Sequence, residues 1–284
     1  MLDRNLEIFI KVAEYRSFTI ASQVLYVSQP AVSHAIKHLE KELNVQLFYR
    51  DKRNGLIITE VGKKILTLAR QMENLDNCIY QVAFQENNLI SGRLKIASLP
   101  SLTSSYISKS LKIFHEKYPN VTIEIKEGTP KEIMQMVESY TVDFALSTSP
   151  FNQFDSITLK HDEMLGISYN SSLKLEPLNL SKPHNTVIIT RSAYETIMDN
   201  TYHGHFIDMK NVIVVQNIDA LINMVKDGIG IGIISKHPLA SYKNRFNIHQ
   251  LNPKIEFDIG LFSINLNEMT PVAKEFVNIL KIIF

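Results

Sequence analysis

Apolar residues in the first ninety positions recur with a helical period, broken by short polar intervals. Leu2, Leu6, Phe9, Ile10 and Ala13 have the spacing of an amphipathic helix. Ser17 offers an N-cap to a short second helix with Ala21, Val24 and Leu25 on its apolar side. After the tight Tyr26-Val27 connection, Ser28 caps a third helix. Its Pro30 sits in the first turn, where a missing N–H costs nothing. At ~100° per residue, Val32, Ile36, Leu39 and Leu43 fall on one face. Pro30, His34, Lys37 and Lys41 fall on the opposite one, with Ser33 at its edge. Two short helices joined by a tight turn, the second basic on its outer face, form a helix-turn-helix.

Asn54-Gly55 between flanking apolar residues predicts a hairpin, and Arg50, Lys52 and Arg53 cluster on the limb leading into it. Beside a helix-turn-helix, such a basic hairpin reads as a wing lying on a phosphate backbone. Thr59 then caps a long helix running to about Asn88. Its stripe of Val61, Ile65, Leu68, Met72, Leu75, Ile79 and Val82 alternates spacings of four and three. A heptad this strict predicts a two-helix coiled coil, since a helix packed on its own domain shows a broader stripe. Cys78 lies beside the stripe and reads as incidental.

Asn87-Asn88 and Ser91-Gly92 mark a hinge, after which strands and helices alternate. Strands are expected at 94–98, 121–126, 143–147, 186–190, 211–215 and 229–234. Helices are expected at 103–118, 130–140, 192–200, 217–227 and 271–282. The alternation predicts a mainly parallel sheet, and nearly two hundred residues of it suit two small α/β lobes. Ligands of open α/β sheets bind beyond the carboxyl ends of strands, at helix N-termini. Three hydroxyl-rich loops occupy such places: Ser98 to Ser105 with Pro100, Ser101 and Thr103; Gly128-Thr129-Pro130; and Ser147-Thr148-Ser149. Together they suit a small polar or anionic molecule. Arg191 reads as an isolated surface arginine rather than a carboxylate partner.

Composition narrows the class. The 284 residues, 45% apolar and 21% charged, make one large domain or two to three ordinary ones. Net charge is +1, but residues 1–64 carry ten Lys/Arg against seven Asp/Glu, while 91–284 carry nineteen of each. The basic surplus sits where the helix-turn-helix is, which permits nucleic-acid binding. A single cysteine cannot form an internal bridge and suits a reducing cytosol. Charged residues interrupt the first twenty positions, and no segment approaches ~18 consecutive apolar residues. A cytoplasmic protein without a membrane span is expected.

Features that resemble catalytic or metal motifs fail on context. Gly228-x-Gly230-x-Gly232 leads from a helix into a strand, the wrong order for a pyrophosphate cradle. Its glycines read as ending the helix and packing it on the sheet. Ser171-x-x-Lys174 lacks the companion motifs of its enzyme class. His203, His205 and Asp208 lack a further ligand pattern. No enzyme signature, cofactor or metal is expected. An exported solute-binding protein would need a signal peptide, and an enzyme on the same scaffold would need a catalytic constellation.

The block Ala21-x-x-Leu25-Tyr26-Val27-Ser28-Gln29-Pro30-Ala31-Val32-Ser33-x-x-Ile36-x-x-Leu39-Glu40 resembles the N-terminal signature of the LysR-type transcriptional regulators. Leu47-Phe48-x-Arg50, Thr59-Glu60-x-Gly62 and Val225-x-x-Gly228-x-Gly230-Ile231 agree with the same family. The resemblance implies an α+β multidomain chain. A winged helix-turn-helix would span 1–58 and a dimerising linker helix 59–90. A two-lobed α/β effector domain like type 2 periplasmic binding proteins would span 91–284, lobe I at about 91–160 and 266–284, lobe II at about 161–265. It implies a homodimer assembling to a homotetramer, promoter DNA and RNA polymerase as partners, and an unidentified small-molecule effector. DNA-facing positions carry over to Gln29, Pro30, Ser33, His34 and Lys37, with Arg50, Lys52 and Arg53 on the wing and Thr59 near the DNA backbone. Effector positions carry over to Ser98, Pro100, Ser101, Thr103, Thr129, Ser147 and Asn217. His34 and Ala35 stand where the family often has longer Arg or Gln side chains, which should alter base preference.

Overall fold

The computed structural model describes residues 2–86, 90–169, 177–179, 186–200, 211–242 and 246–284. Asn87 and Asn88 of the expected hinge, the Ser171–Lys174 motif, and His203, His205 and Asp208 lie outside the described residues. The backbone divides into two compact units, residues 1–92 with 138–141, and the remainder.

The first unit opens with α1 (Arg4–Tyr15), α2 (Phe18–Val24) and α3 (Gln29–Leu43), followed by β1 (Phe48–Asp51), β2 (Gly55–Ile58) and α4 (Glu60–Glu86). Each of the first three helices starts on a side-chain cap. Asp3, Ser17 and Ser28 accept the N–H groups of Asn5, Ile20 and Ala31. Arg16, Tyr26 and Asn44 take left-handed φ values of 48°, 54° and 53°, which turn the chain between elements. Phe9, Val12, Ala21, Val32, Ile36, Leu39 and Leu47 form the core. Leu43, expected on that face, is exposed in the last turn of α3.

The wing is fastened at Leu47 and Phe48. Glu40 Oε1 accepts both of their N–H groups, at 2.8 and 3.3 Å. The Phe48 ring packs edge-on against Phe9 and Phe18, with centroids 5.5 and 6.3 Å away. Pairing of Asp51 with Gly55 leaves the three-residue loop Lys52-Arg53-Asn54. Asn54 and Gly55 therefore do not make a two-residue turn. Gly55 follows the loop at φ +72°, as three-residue hairpins require.

The second unit contains β3 (Gly92–Ser98), α5 (Pro100–Leu102), a wide π turn at Thr103–Ile107, α6 (Ser108–Lys117), β4 (Val121–Glu127), α7 (Pro130–Glu138), β5 (Phe144–Thr148) and β6 (Asp155–Ser168). It continues with β7 (Leu178–Asn179), β8 (Val187–Thr190), α8 (Arg191–Asn200), β9 (Val212–Val215), α9 (Ile218–Lys226), β10 (Ile231–Ser235), α10 (Lys236–Leu239), β11 (Asn247–Asn252), β12 (Glu256–Ser263) and α11 (Pro271–Ile283). One sheet runs β4-β3-β5-β12-β6 and the other β6-β10-β8-β9, with β11 on the far side of β6. The fourteen-residue β6 belongs to both. Its residues 155–163 pair with β12, and 164–168 pair with β10 and β11.

The unit is two-lobed, but its sheets are mixed rather than mainly parallel. β12 runs antiparallel to β5 and β6, and β10 runs antiparallel to β6. These pairings come from β6 and β12, whose charged residues hid them from the apolar pattern. β12, placed in the second lobe by the sequence, belongs to the first sheet. The Gly228–Gly232 segment does end α9 and pack it on the sheet. Gly228 takes φ +74° after the helix, and a Cβ on Gly232 would meet Leu221 and Ile167 at 2.7 and 2.9 Å.

Gly62, at the start of α4, tests the joint at Leu47. A Cβ there would lie 2.5 Å from the Leu47 carbonyl oxygen and 2.8 Å from Ile58 Cγ1. Gly62→Ala should lower the stability of the first unit by about 1–3 kcal/mol, read as a drop in urea midpoint. An unchanged midpoint would mean the helix shifts freely.

Candidate nucleic-acid interface and ligand cavity

The outer face of α3 stands clear of the core. Gln29, Pro30, His34 and Lys37 are exposed and Ser33 is half-buried at the edge. Inward-facing Val32, Ala35, Ile36 and Leu39 fix this orientation. On the wing Arg50, Lys52 and Arg53 are exposed and form no ion pair among the described residues. Asp51, their acidic neighbour, is turned to the loop. It accepts the N–H groups of Asn54 and Arg53, each at 2.8 Å, and these bonds hold its carboxyl below the usual range. The loop carrying Arg53 is thus shaped from within. Thr59 is tied into the fold by its hydroxyl. Its hydroxyl donates to Gln46 O at 2.7 Å and accepts Gly62 N–H at 2.9 Å, so its proton is taken by Gln46 while its oxygen caps α4.

On α4 the heptad stripe is exposed at Val61, Leu68, Met72, Leu75, Ile79 and Val82, with Leu75 and Ile79 nearly two-thirds open. Ile65 departs from this and packs on the helix-turn-helix core. Cys78 is half-buried beside the stripe.

In the second unit a cavity of about 350 Å³ lies where β3, β8, β9 and β10 end. Pro100, Ser101 and Asn217 line it, and Asn217 also caps α9 by accepting Ala220 N–H. Ser98, Thr103, Thr129 and Ser147 do not. Ser98 and Thr103 donate to Leu99 O, at 3.1 and 3.3 Å. Thr129 and Glu132 form a reciprocal capping box, in which each side chain bonds the other's N–H. Ser147 is wholly buried. From that third loop it is Thr148 that reaches the cavity, one residue on.

The sequence missed most of the remaining wall. Thr190, Ser192 and Thr196 enter with α8, and Thr148 Oγ1 lies 2.9 Å from Thr196 Oγ1. Thr196 donates to Ser192 O, so Thr148 is the donor in the pair. Arg191 is not isolated; it pairs with Glu132 and Glu195 at 3.5 Å, outside the cavity wall. Ser104 and Ser108 donate back to carbonyls four residues earlier, accompanying the π turn at the cavity edge. A run of serines after a strand is the signal that pointed here.

His237 follows β10 and lines the cavity. Asp162 Oδ2 accepts its Nδ1–H at 2.9 Å and its backbone N–H at 3.1 Å, while Oδ1 accepts Glu163 N–H at 2.8 Å. Burial pushes the Asp162 carboxyl up, but the bonds from the His237 ring and the two backbone N–H groups outweigh it and hold it below the usual range. Nothing local marks this pair, because its members stand 75 residues apart.

Two family descriptions match the chain: "Bacterial regulatory helix-turn-helix protein, lysR family" over residues 4–63, and "LysR substrate binding domain" over residues 87–282. The uncharacterised HTH-type transcriptional regulator YoaU of Bacillus subtilis is 40% identical over 98% of this chain and 97% of its own. YvbU of the same organism is 30% identical over 99% and 98%. Among solved structures, a full-length OxyR variant from Pseudomonas aeruginosa covers 98% of this chain and 93% of its own, with a TM-score of 0.73 at 16% identity. Full-length CbnR complexed with its target DNA covers 99% of both, with a TM-score of 0.60 at 19% identity. These two share the fold.

The Asp162 pair sets an acid dependence. A carboxyl held below its ordinary value of ~3.9 stabilises the fold above that value. The contribution is lost as pH falls through the lower folded value. Asp162→Asn should therefore flatten the acid limb of the melting-temperature curve below about pH 4, besides lowering stability overall. Parallel acid limbs for variant and parent would rule this out.

Proposed function

Because this chain belongs to the LysR family of helix-turn-helix transcriptional regulators, we propose that its α3 reads DNA bases in the major groove while its wing grips the phosphates. The protein is a DNA-binding regulator with an effector-binding domain. Gln29, Ser33 and His34 meet base edges, Pro30 shapes the helix start against the groove, and Lys37, Arg50, Lys52 and Arg53 neutralise phosphates. The observation that carries this reading is the exposed polar row on α3 beside three wing cations unpaired among the described residues. Residues 1–58 would bind DNA, 59–90 would dimerise, and 91–284 would hold the effector.

The exposed heptad stripe on α4 supports a homodimer through Val61, Leu68, Met72, Leu75, Ile79 and Val82. A homotetramer, promoter DNA, contact with RNA polymerase and residence in the cytoplasm extend the same reading. Among the described residues no helix is long and apolar enough to cross a membrane. No catalytic step is assigned. The effector is a small polar molecule held between the lobes, where Pro100, Ser101 and Asn217 are joined by Thr148, Thr190 and His237.

The test is binding of the full-length chain to its own upstream DNA, at two salt concentrations with nonspecific competitor. Preferential, salt-weakened binding supports the regulator reading, and failure to bind any duplex at low salt overturns it. Arg53→Ala should weaken binding to all sequences alike and flatten the salt dependence by about one unit per lost phosphate contact. A loss confined to one sequence would reassign Arg53 to base readout. Leu75→Glu should place a charge in the seam and shift the sedimenting species to lower mass. An unchanged mass would assign assembly to another surface.

A further inference from the structure

We propose that His237 is the residue through which the cavity recognises its effector, and that the group it recognises is the carboxylate of a small monocarboxylic acid. This rests on the reading of the cavity as an effector site. The His237 side chain is only 4% exposed, yet it forms part of the cavity wall. Asp162 takes both its backbone N–H and its Nδ1–H, which locks the ring and leaves Nε2 as the one nitrogen free to act. Nε2 is buried and has no hydrogen-bond partner among the described residues. A buried nitrogen without a partner is unfavourable, and a ligand oxygen in the cavity satisfies it.

The charge of the wall selects the ligand class. Among the described lining residues there is no lysine or arginine, and Asp219 is the one carboxylate. His237 is thus the lining side chain able to carry positive charge. The N-terminal ends of α8 and α9, ten and nine residues long, also open onto the cavity through Ser192 and Asn217. One imidazole and two helix ends suit a single negative charge. A dicarboxylate or phosphate brings a second negative charge, for which the described wall offers no second cationic side chain. The cavity of about 350 Å³ lies at the small end of the ~300–1,000 Å³ range of ligand sites.

With Nδ1–H committed to Asp162, only a ring protonated on both nitrogens offers Nε2–H to a carboxylate. A carboxylate at Nε2 therefore selects the doubly protonated ring over the neutral one, and affinity falls as pH rises. Several titratable or charged groups lie near the ring or in the same wall: Asp162 on β6; the neighbouring Glu163–Lys236 pair; Tyr106, 5.6 Å away; Lys160, whose Nζ donates to the Tyr106 hydroxyl; and Asp219 in the wall. Of these, Asp162 is the group bonded to the ring.

The test uses the full-length chain with propionate and lactate as probes and propionamide as the neutral comparison. Melting is read at matched ionic strength near pH 6 and near pH 8. At about ten times Kd, the better carboxylate should raise the melting temperature by roughly 3 °C at the lower pH and by less at the higher. Propionamide should not match it. His237→Gln should lose the carboxylate shift and its pH dependence while still binding random-sequence duplex DNA. Should that variant melt too early to read, calorimetry of the parent chain near pH 8, in two buffers of different ionisation enthalpy, decides, with net proton uptake expected. Three results overturn the proposal: an equal carboxylate shift in His237→Gln, no carboxylate shift beyond that of propionamide, or binding without proton uptake. Loss of duplex binding by the parent chain would instead strike the regulator reading, which these melts do not need.

Discussion

The amino-terminal unit depends on the short stretch Leu47-Phe48, where three elements are tied to one another. The Glu40 carboxylate on α3 holds both N–H groups, Thr59 N–H donates to the Leu47 carbonyl at 2.9 Å, and Gly62 lets α4 approach that same carbonyl. Phe48 then fills the space between Phe9 and Phe18. Recognition helix, wing and long helix therefore leave one point with fixed angles. A groove-reading surface needs that rigidity, since base contacts tolerate little displacement. It also explains why the Thr59 hydroxyl is occupied internally.

In the second unit the same economy appears in β6. Its first part completes one sheet and its last residues start another, so the cavity sits beside a strand common to both lobes. Asp162 lies on β6 next to the crossover and holds His237, which follows the neighbouring β10. Thr148 of the first sheet and Thr196 of α8 add a second link across the cavity wall. The cavity wall and the connection between the sheets thus share residues. That is the arrangement a binding-dependent change of lobe geometry requires.

Much of this was legible locally. Ser17 and Ser28 announced helix starts, Gly228 a helix end, and the heptad on α4 an apolar seam that does lie exposed. What stayed hidden depended on distant partners. β6 and β12 carry Asp155, Lys160, His161, Asp162, Glu163, Glu256 and Asp258, which erase the period-two signal, although cross-strand pairing makes both regular strands. Of the three hydroxyl loops, the first and third reach the cavity and the Gly128-Thr129-Pro130 loop does not, and within the two that do only part of the expected hydroxyls face it. Ser98 and Thr103 turn to Leu99 O, and Thr148 rather than Ser147 reaches the wall. Neighbouring strand residues point to opposite faces, so a shift of one position changes a ligand contact into core.

A strand that belongs to two sheets also joins their fates on unfolding. Opening either lobe along β6 removes ladder bonds that border the other, so the backbone amides on both sides of Glu163 and Met164 are protected by one event rather than two. The two lobes are then two shapes within a single cooperative folding unit. A protease that cuts a surface loop should release the whole of the second unit or none of it, never a stable half.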